Sequence, residues 1–123
     1  NKNQIIRSAL ESIAFQIKDY LDDLELKNKI KYNEIYIDGG IVSNTSFMQF
    51  LTNILNKKIY VTNYQDMSSY GALMMGLLGM NIKKNFKEIK KLKQKYFIYV
   101  PSKDIEANQS YENWKFVLKK FYL

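Results

Sequence analysis

The residues best suited to chemistry lie in one stretch, Ile35-Tyr36-Ile37-Asp38-Gly39-Gly40, followed shortly by Ser43-Asn44. The β-branched and aromatic run reads as a short strand, and the two glycines break it. Ser43, Asn44, Thr45 and Ser46 are four good helix-capping residues in a row, so a helix follows. Glycines without a Cβ let backbone lie flat against a planar ligand or take a positive φ. Ligands of open α/β sheets sit at the carboxyl ends of strands. The unpaired N–H groups that start the next helix favour an anionic or polar group. The Asn44 amide can both donate and accept. Together these features suit a nucleotide, with Gly39, Gly40 and Asn44 as the candidate binding residues. The spacing matches neither G-x-x-x-x-G-K-[ST] nor G-x-G-x-x-G, and an ordinary tight strand-to-helix turn uses the same residue types.

Other chemistry is narrowed by composition. The 123 residues include no cysteine and no histidine. That excludes a disulfide scaffold, a thiolate metal site, a cysteine nucleophile and the commonest general acid–base residue. No set of catalytic residues and no set of metal ligands can be picked out. Asp22 and Asp23 are adjacent in a helical stretch and point about 100° apart, as solvated residues do. Asp38 reads as a turn-stabilising aspartate. The net charge is +7, with a pI near 9.4. Nearly all of the excess comes from Lys83 to Lys95, which holds seven lysines and one glutamate. Arg7 is the only arginine, whereas base and phosphate forks usually use arginine. The lysine run therefore reads as a solvated surface connection. A basic module binding nucleic acid or an acidic partner is the alternative. No secretory signal is visible, and the longest apolar-looking run, Tyr70 to Met80, falls well short of the roughly 20 residues a bilayer needs. The chain reads as soluble, cytoplasmic and one domain or a piece of something longer.

The elements that must position the glycine junction follow from hydrophobic periodicity. Ile6, Leu10, Ile13, Ile17, Leu21 and Leu24 recur at spacings of three and four, predicting a helix over Gln4 to Leu26. Arg7 with Glu11 and Lys18 with Asp22 are placed for i,i+4 pairs. Strands are expected at Glu34 to Asp38 and Lys58 to Thr62. Between them, Phe47, Phe50, Leu51, Ile54 and Leu55 form the stripe of a helix. A helix over Tyr70 to Met80, capped by Ser68 or Ser69, is apolar all round and is expected to be buried. Its Gly71, Gly76 and Gly79 would admit a closely packed neighbour. Met67, Met74, Met75 and Met80 read as core filler. Asn81 to Gln94 is a lysine-rich connection or helix. Tyr96 to Val100 is extended, and Asn108 to Phe121 is a last helix striped by Trp114, Val117, Leu118 and Phe121. This order predicts an α/β fold with short strands covered by helices.

The motifs also carry a family resemblance. Ile35 to Asn44, with Phe47-Met48-Gln49-Phe50 and Ile54-Leu55, resembles the hydrophobic-x-V-D-G-G-A-x-x-N, L-M-Q-F-Q and D-I-L stretches of the glycerol kinases. These are FGGY carbohydrate kinases, in the actin, Hsp70 and hexokinase superfamily. Arg7 to Gln16 resembles their R-A-x-L-E-x-I-A-F/Y-Q helix. Ser68-Ser69-Tyr70-Gly71-Ala72 stands where they have T-A-L-G-A-A. Tyr111, Trp114 and Lys115 match their Y-x-x-W-K. Ile41 departs from the family alanine, and Asn53 from the aspartate of D-I-L.

The resemblance implies part of an actin-like, ribonuclease H-like ATPase domain, with residues 1–123 the carboxy-terminal part of the second, nucleotide-binding domain. It implies ATP or ADP contacts at Gly40 and Asn44, with Gly39 on the adenosine wall and no catalytic residue in this segment. It also implies Mg²⁺ and transfer of a phosphoryl group to a polyol, glycerol, by a cytoplasmic homo-oligomer, a dimer or tetramer. No nucleic-acid or membrane partner is implied. A pentulose, xylulose or gluconate kinase is the near alternative. The phosphate loop, substrate-contacting residues and catalytic aspartate of the family fall outside the matched motifs, so the segment alone is expected to be inactive.

Overall fold

The computed structural model describes residues 1–62, 66–92 and 95–121. Its elements run α1 (Lys2–Asn28), β1 (Glu34–Ile37), a 3₁₀ turn (Gly40–Ser43), α2 (Thr45–Leu55), β2 (Lys58–Thr62), α3 (Met67–Gly79), α4 (Phe86–Lys90), β3 (Tyr96–Tyr99) and α5 (Ile105–Phe121). The expected helix, strand, helix, strand order is present. Residues 93–94, at the end of the lysine run, lie outside the described residues.

The sheet has the order β1-β2-β3. β1 and β2 are parallel, with Ile35 opposite Ile59 and Ile37 opposite Val61. β3 is antiparallel to β2, with Tyr99 opposite Ile59. Side chains alternate across a sheet. Ile35, Ile37, Ile59, Val61 and Tyr99 therefore share one face, and Tyr36, Tyr60 and Ile98 share the other. The first face carries the core. Met48, Leu51 and Ile54 of α2 are at most 1% exposed against Ile59 at 0%. α1 adds Ala14 and Phe15, and α5 adds Ala107 and Tyr111. The Phe15 ring meets Phe50, Tyr111 and Trp114 at centroid distances of 5.9, 5.7 and 5.8 Å, which binds α1, α2 and α5 together.

Polar ties hold the connections. Asn53 on α2 donates to Asp104 and accepts from the Ser102 amide at 3.0 Å and the Ser102 hydroxyl at 3.1 Å, fastening the β3–α5 link. Glu25 on α1 accepts from Lys57 at 2.8 Å and from the Tyr32 amide at 2.7 Å, tying α1 to the amino ends of β1 and β2. The Arg7–Glu11 and Lys18–Asp22 pairs form at 2.6 and 3.0 Å. The Tyr111 hydroxyl donates to Asp19 at 3.2 Å, and Lys115 pairs with the same carboxylate at 3.3 Å. Burial first, then the Asp19 charge, raise the Tyr111 phenol above its ordinary range.

Four expectations are corrected. The inward face of α1 runs through Leu10, Ala14, Phe15 and Leu21, leaving Ile6, Ile13 and Ile17 exposed. α5 likewise turns Tyr111 and Trp114 inward and leaves Val117 and Phe121 outside. Periodicity fixes a spacing but not the rotation of the helix, which neighbouring rings decide. α3 is not buried: only Met74 is, whereas Leu73, Met75 and Met80 are exposed, and Leu73 reaches 57%. A Cβ added at Gly71, Gly76 or Gly79 would meet nothing within 4 Å. The cap of α3 is Asp66 rather than Ser68 or Ser69. Its carboxylate accepts from the Ser68 amide and from both the amide and hydroxyl of Ser69.

Two outcomes are expected. Leu51→Ala should cost about 2–5 kcal/mol in a urea titration followed by Trp114 fluorescence, because it empties a closed core site. Leu73→Ala should stay within about 0.5 kcal/mol, as exposed substitutions do. The bonds from Ser69, then Ser68, hold the Asp66 carboxyl below its ordinary range. The cap is therefore fully present above the unfolded carboxylate pKa of about 4 and is lost as pH falls through the lower folded value. Amide protection in α3 should drop over that acid window, and Asp66→Asn, which keeps an acceptor without titrating, should flatten the drop.

Candidate functional site

The glycine junction forms because β1 ends at Ile37 and the chain must reverse onto α2. Gly39 takes φ 102° and ψ 176°, a conformation side-chain-bearing residues rarely adopt, and so its type is required by the chain itself. Gly40 then opens a 3₁₀ turn. The Val42 amide donates to the Gly39 carbonyl at 3.2 Å, the Ser43 hydroxyl to the Gly40 carbonyl at 2.8 Å, and the Asn44 amide to the Ile41 carbonyl at 3.0 Å. Asn44 caps α2: its side-chain oxygen accepts from the Phe47 amide at 3.0 Å. One short turn thus joins Gly39, Gly40 and Asn44, as the sequence suggests.

Gly40 differs from Gly39 in an informative way. Its φ is not positive, and a Cβ there would meet nothing within 4 Å. No contact in the chain requires a glycine at this position. Asn44 also has capacity to spare. Its oxygen is engaged by the helix, while its amide nitrogen has no partner among the described residues.

Asn44 borders a cavity of about 430 Å³ between the starts of α1 and α2, lined also by Arg7, Leu10, Glu11, Phe47 and Phe50. The lining is mostly apolar with a few polar groups at the rim, the usual composition of a small-molecule site. Gly39 and Gly40 are not among the lining residues; they lie on the exposed turn leading to it. Arg7 and Glu11, read from the sequence as an i,i+4 pair, form that pair at the surface and also line this cavity, which the sequence did not indicate. The i,i+4 spacing indicates the pair, but nothing in it shows that α1 starts beside Asn44. Among the described residues no group of three or more acidic side chains is arranged to hold a metal ion.

Comparison with known proteins identifies the family. The model of the FGGY family of carbohydrate kinases, C-terminal domain, matches residues 1–80. The chain belongs to the FGGY family of carbohydrate kinases. Glycerol kinase 1 of Thermotoga maritima is 32% identical over 123 residues, covering 97% of this chain and 24% of its own length. The crystal structure of Plasmodium falciparum glycerol kinase with ADP superposes with a TM-score of 0.79 at 28% identity, covering 97% of this chain and 24% of that one. A xylulose kinase from Lactobacillus acidophilus shares the fold, with a TM-score of 0.73 at 21% identity over 99% of this chain. This FGGY chain therefore spans about a quarter of the length of the relatives it matches. It is a helix-rich α/β chain with a small three-stranded sheet, and its structural neighbours are FGGY kinases of the actin-like fold.

The cap itself is testable. Asn44→Ala should destabilise the chain by about 1 kcal/mol in chemical denaturation, and Asn44→Asp, which restores an acceptor at a helix start, should recover it.

Proposed function

We propose that this FGGY chain is the carboxy-terminal part of the second, nucleotide-binding domain of a cytoplasmic glycerol kinase-like enzyme. The single observation that carries the nucleotide reading is the open junction. Gly40 faces open space, and the Asn44 amide nitrogen has no partner among the described residues beside a cavity lined by Leu10, Phe47 and Phe50 together with Arg7 and Glu11. Glycine backbone at Gly39 and Gly40 would lie against the adenosine, and the Asn44 amide nitrogen would donate to it. The cavity beside Arg7 and Phe47 would take an apolar, planar group. The ATP or ADP would supply or accept the transferred phosphoryl group.

In the proposed reaction a glycerol hydroxyl oxygen bonds to the γ-phosphorus of ATP and the bond to the β-phosphate oxygen breaks. ADP leaves, glycerol 3-phosphate forms, and the hydroxyl proton passes to a base outside this chain. Residues of this chain only bind and orient the nucleotide. Mg²⁺ would neutralise charge on the nucleotide phosphates, and the described residues offer no group of three or more acidic side chains to hold it. The 32% identity to a glycerol kinase supports glycerol over a sugar substrate. The xylulose kinase, at 21% identity, supports the fold alone.

The test is ADP release by the enzyme containing this chain, with ATP, Mg²⁺ and glycerol, against xylulose and gluconate. Glycerol-dependent turnover is expected. Turnover with xylulose or gluconate alone would replace glycerol as the substrate. Gly40→Val should leave folding intact, because its side chain enters open space, and should raise the KM for ATP at least about tenfold, about 1.4 kcal/mol. An unchanged KM would refute the assignment. Asn44→Asp should weaken ADP binding while keeping the cap, separating the two roles of that side chain.

A further inference from the structure

The sequence reads the lysine run as a solvated connection, but its surface carries more than charge. From Lys83 to Lys91 five lysines stand against one glutamate. None of the five pairs with a carboxylate among the described residues. Glu88, the one acid, is engaged within the segment: its carboxylate accepts from the Lys84 amide at 3.1 Å, and its own amide donates to the Asn85 side chain at 3.1 Å. Three apolar side chains within seven residues of one another lie uncovered beside these lysines. Met80 is 73% exposed, Ile82 56% and Phe86 61%. The backbone that presents them is held. Asn81 takes φ 57°, its amide donates to the Leu78 carbonyl at 3.0 Å, and the Lys83 amide donates to the Leu77 carbonyl at 3.0 Å, so α3 passes through a closed turn toward α4. A connection that serves only to be solvated needs the charges and not the exposed phenylalanine, isoleucine and methionine. Apolar groups gathered beside polar ones mark an interaction surface.

We propose that the segment from Met80 to Lys91 is a peripheral membrane-binding surface, and that its partner is a bilayer rich in anionic phospholipid. Charge complementarity carries the choice. Clustered lysines are drawn to the negative potential of such a surface, each strengthening binding by about fivefold. Their aliphatic stems lie along apolar surface while the ammonium groups stay in water. Phe86, Ile82 and Met80 enter the boundary between headgroups and acyl chains, where interfacial segments place such side chains. Charge alone would give only an attraction that salt screens, so the apolar side chains are what hold the segment at the surface. Nucleic acid fits the same residues less well. The segment holds no arginine, Phe86 is its only aromatic residue, and Met80 and Ile82 offer no ring on which a base could stack. A protein partner fits less well too, because lysine is depleted from protein interfaces. This surface goes beyond phosphoryl transfer and needs neither the glycerol nor the nucleotide assignment.

The experiment is co-sedimentation of the enzyme containing this chain with vesicles of phosphatidylcholine alone, or of phosphatidylcholine with about one third phosphatidylserine. Binding to the anionic vesicles should be at least about tenfold tighter than to the neutral ones and should weaken as salt is raised. Lys84→Gln, Lys87→Gln and Lys90→Gln combined should weaken it at least about tenfold. Phe86→Ser keeps every charge and should weaken it at least about threefold, leaving a remainder that salt removes. All four side chains are exposed, so the variants should keep the parent Trp114 fluorescence; Ile82→Ser takes the place of Phe86→Ser if that variant does not fold. No sedimentation with anionic vesicles overturns the proposal. Binding that the lysine changes weaken and neither apolar change affects is ordinary charge attraction and overturns it as well. Tighter binding to polyuridylate RNA than to vesicles, weakened by the same lysine changes, assigns the segment to nucleic acid and likewise overturns it.

Discussion

The packing of α2 onto the sheet is the constraint from which the rest follows. Met48, Leu51 and Ile54 lie on one side of that helix, and all three are closed off against Ile59 and its neighbours. Apolar burial of this kind is the largest favourable contribution in a small domain. Thr52, also buried on α2, is polar, and its hydroxyl donates to the Met48 carbonyl at 2.6 Å, so its hydroxyl is not carried into the core unpaired. Once α2 is seated, its first turn is seated as well. Asn44 then has a defined position, and the chain from β1 must reach it through Gly39 and Gly40. The candidate site is a consequence of core packing acting on one short connection.

Aromatic contacts and long-range polar bonds secure that arrangement from the sides. Phe15 stands at the meeting point of three helices, with tilted rings of Phe50, Tyr111 and Trp114 around it. Such pairs add to the area they bury. Asn53 and Asp104, 51 residues apart in sequence, join α2 to the start of α5. In the family motif this position is an aspartate. Here the asparagine amide donates to Asp104 while its oxygen accepts from Ser102, a division of roles that a carboxylate does not offer. Surface pairs such as Arg7 with Glu11 contribute little by comparison, because water screens both charges.

The exposed apolar side chains are unevenly distributed. The core at α2 is closed by Met48, Leu51, Ile54 and Ile59, whereas Tyr36 and Ile98 on the outer sheet face and Leu73 and Met75 on α3 remain exposed. One face of the sheet carries the packing energy, and the other contributes little to it.

Local features were legible in the sequence because they depend on near neighbours. The glycine break after Ile37, the caps at Asn44, the stripe of α2 and the order of helices and strands follow from propensity and spacing alone, and the family motifs run through the same residues. What the sequence could not determine was how each amphipathic element is rotated and what covers it. Ile13 and Ile17 looked inward, but the rings of Phe50, Tyr111 and Trp114 draw Phe15 into the core instead. α3 reads as buried because composition records how apolar a helix is, not what packs against it, and only Met74 of that helix is buried. The neighbourhood of Arg7, Glu11 and Asn44 likewise arises only when two helices distant in sequence are brought side by side. Sequence periodicity specifies which side chains avoid water; the tertiary structure alone decides which surface removes them from it.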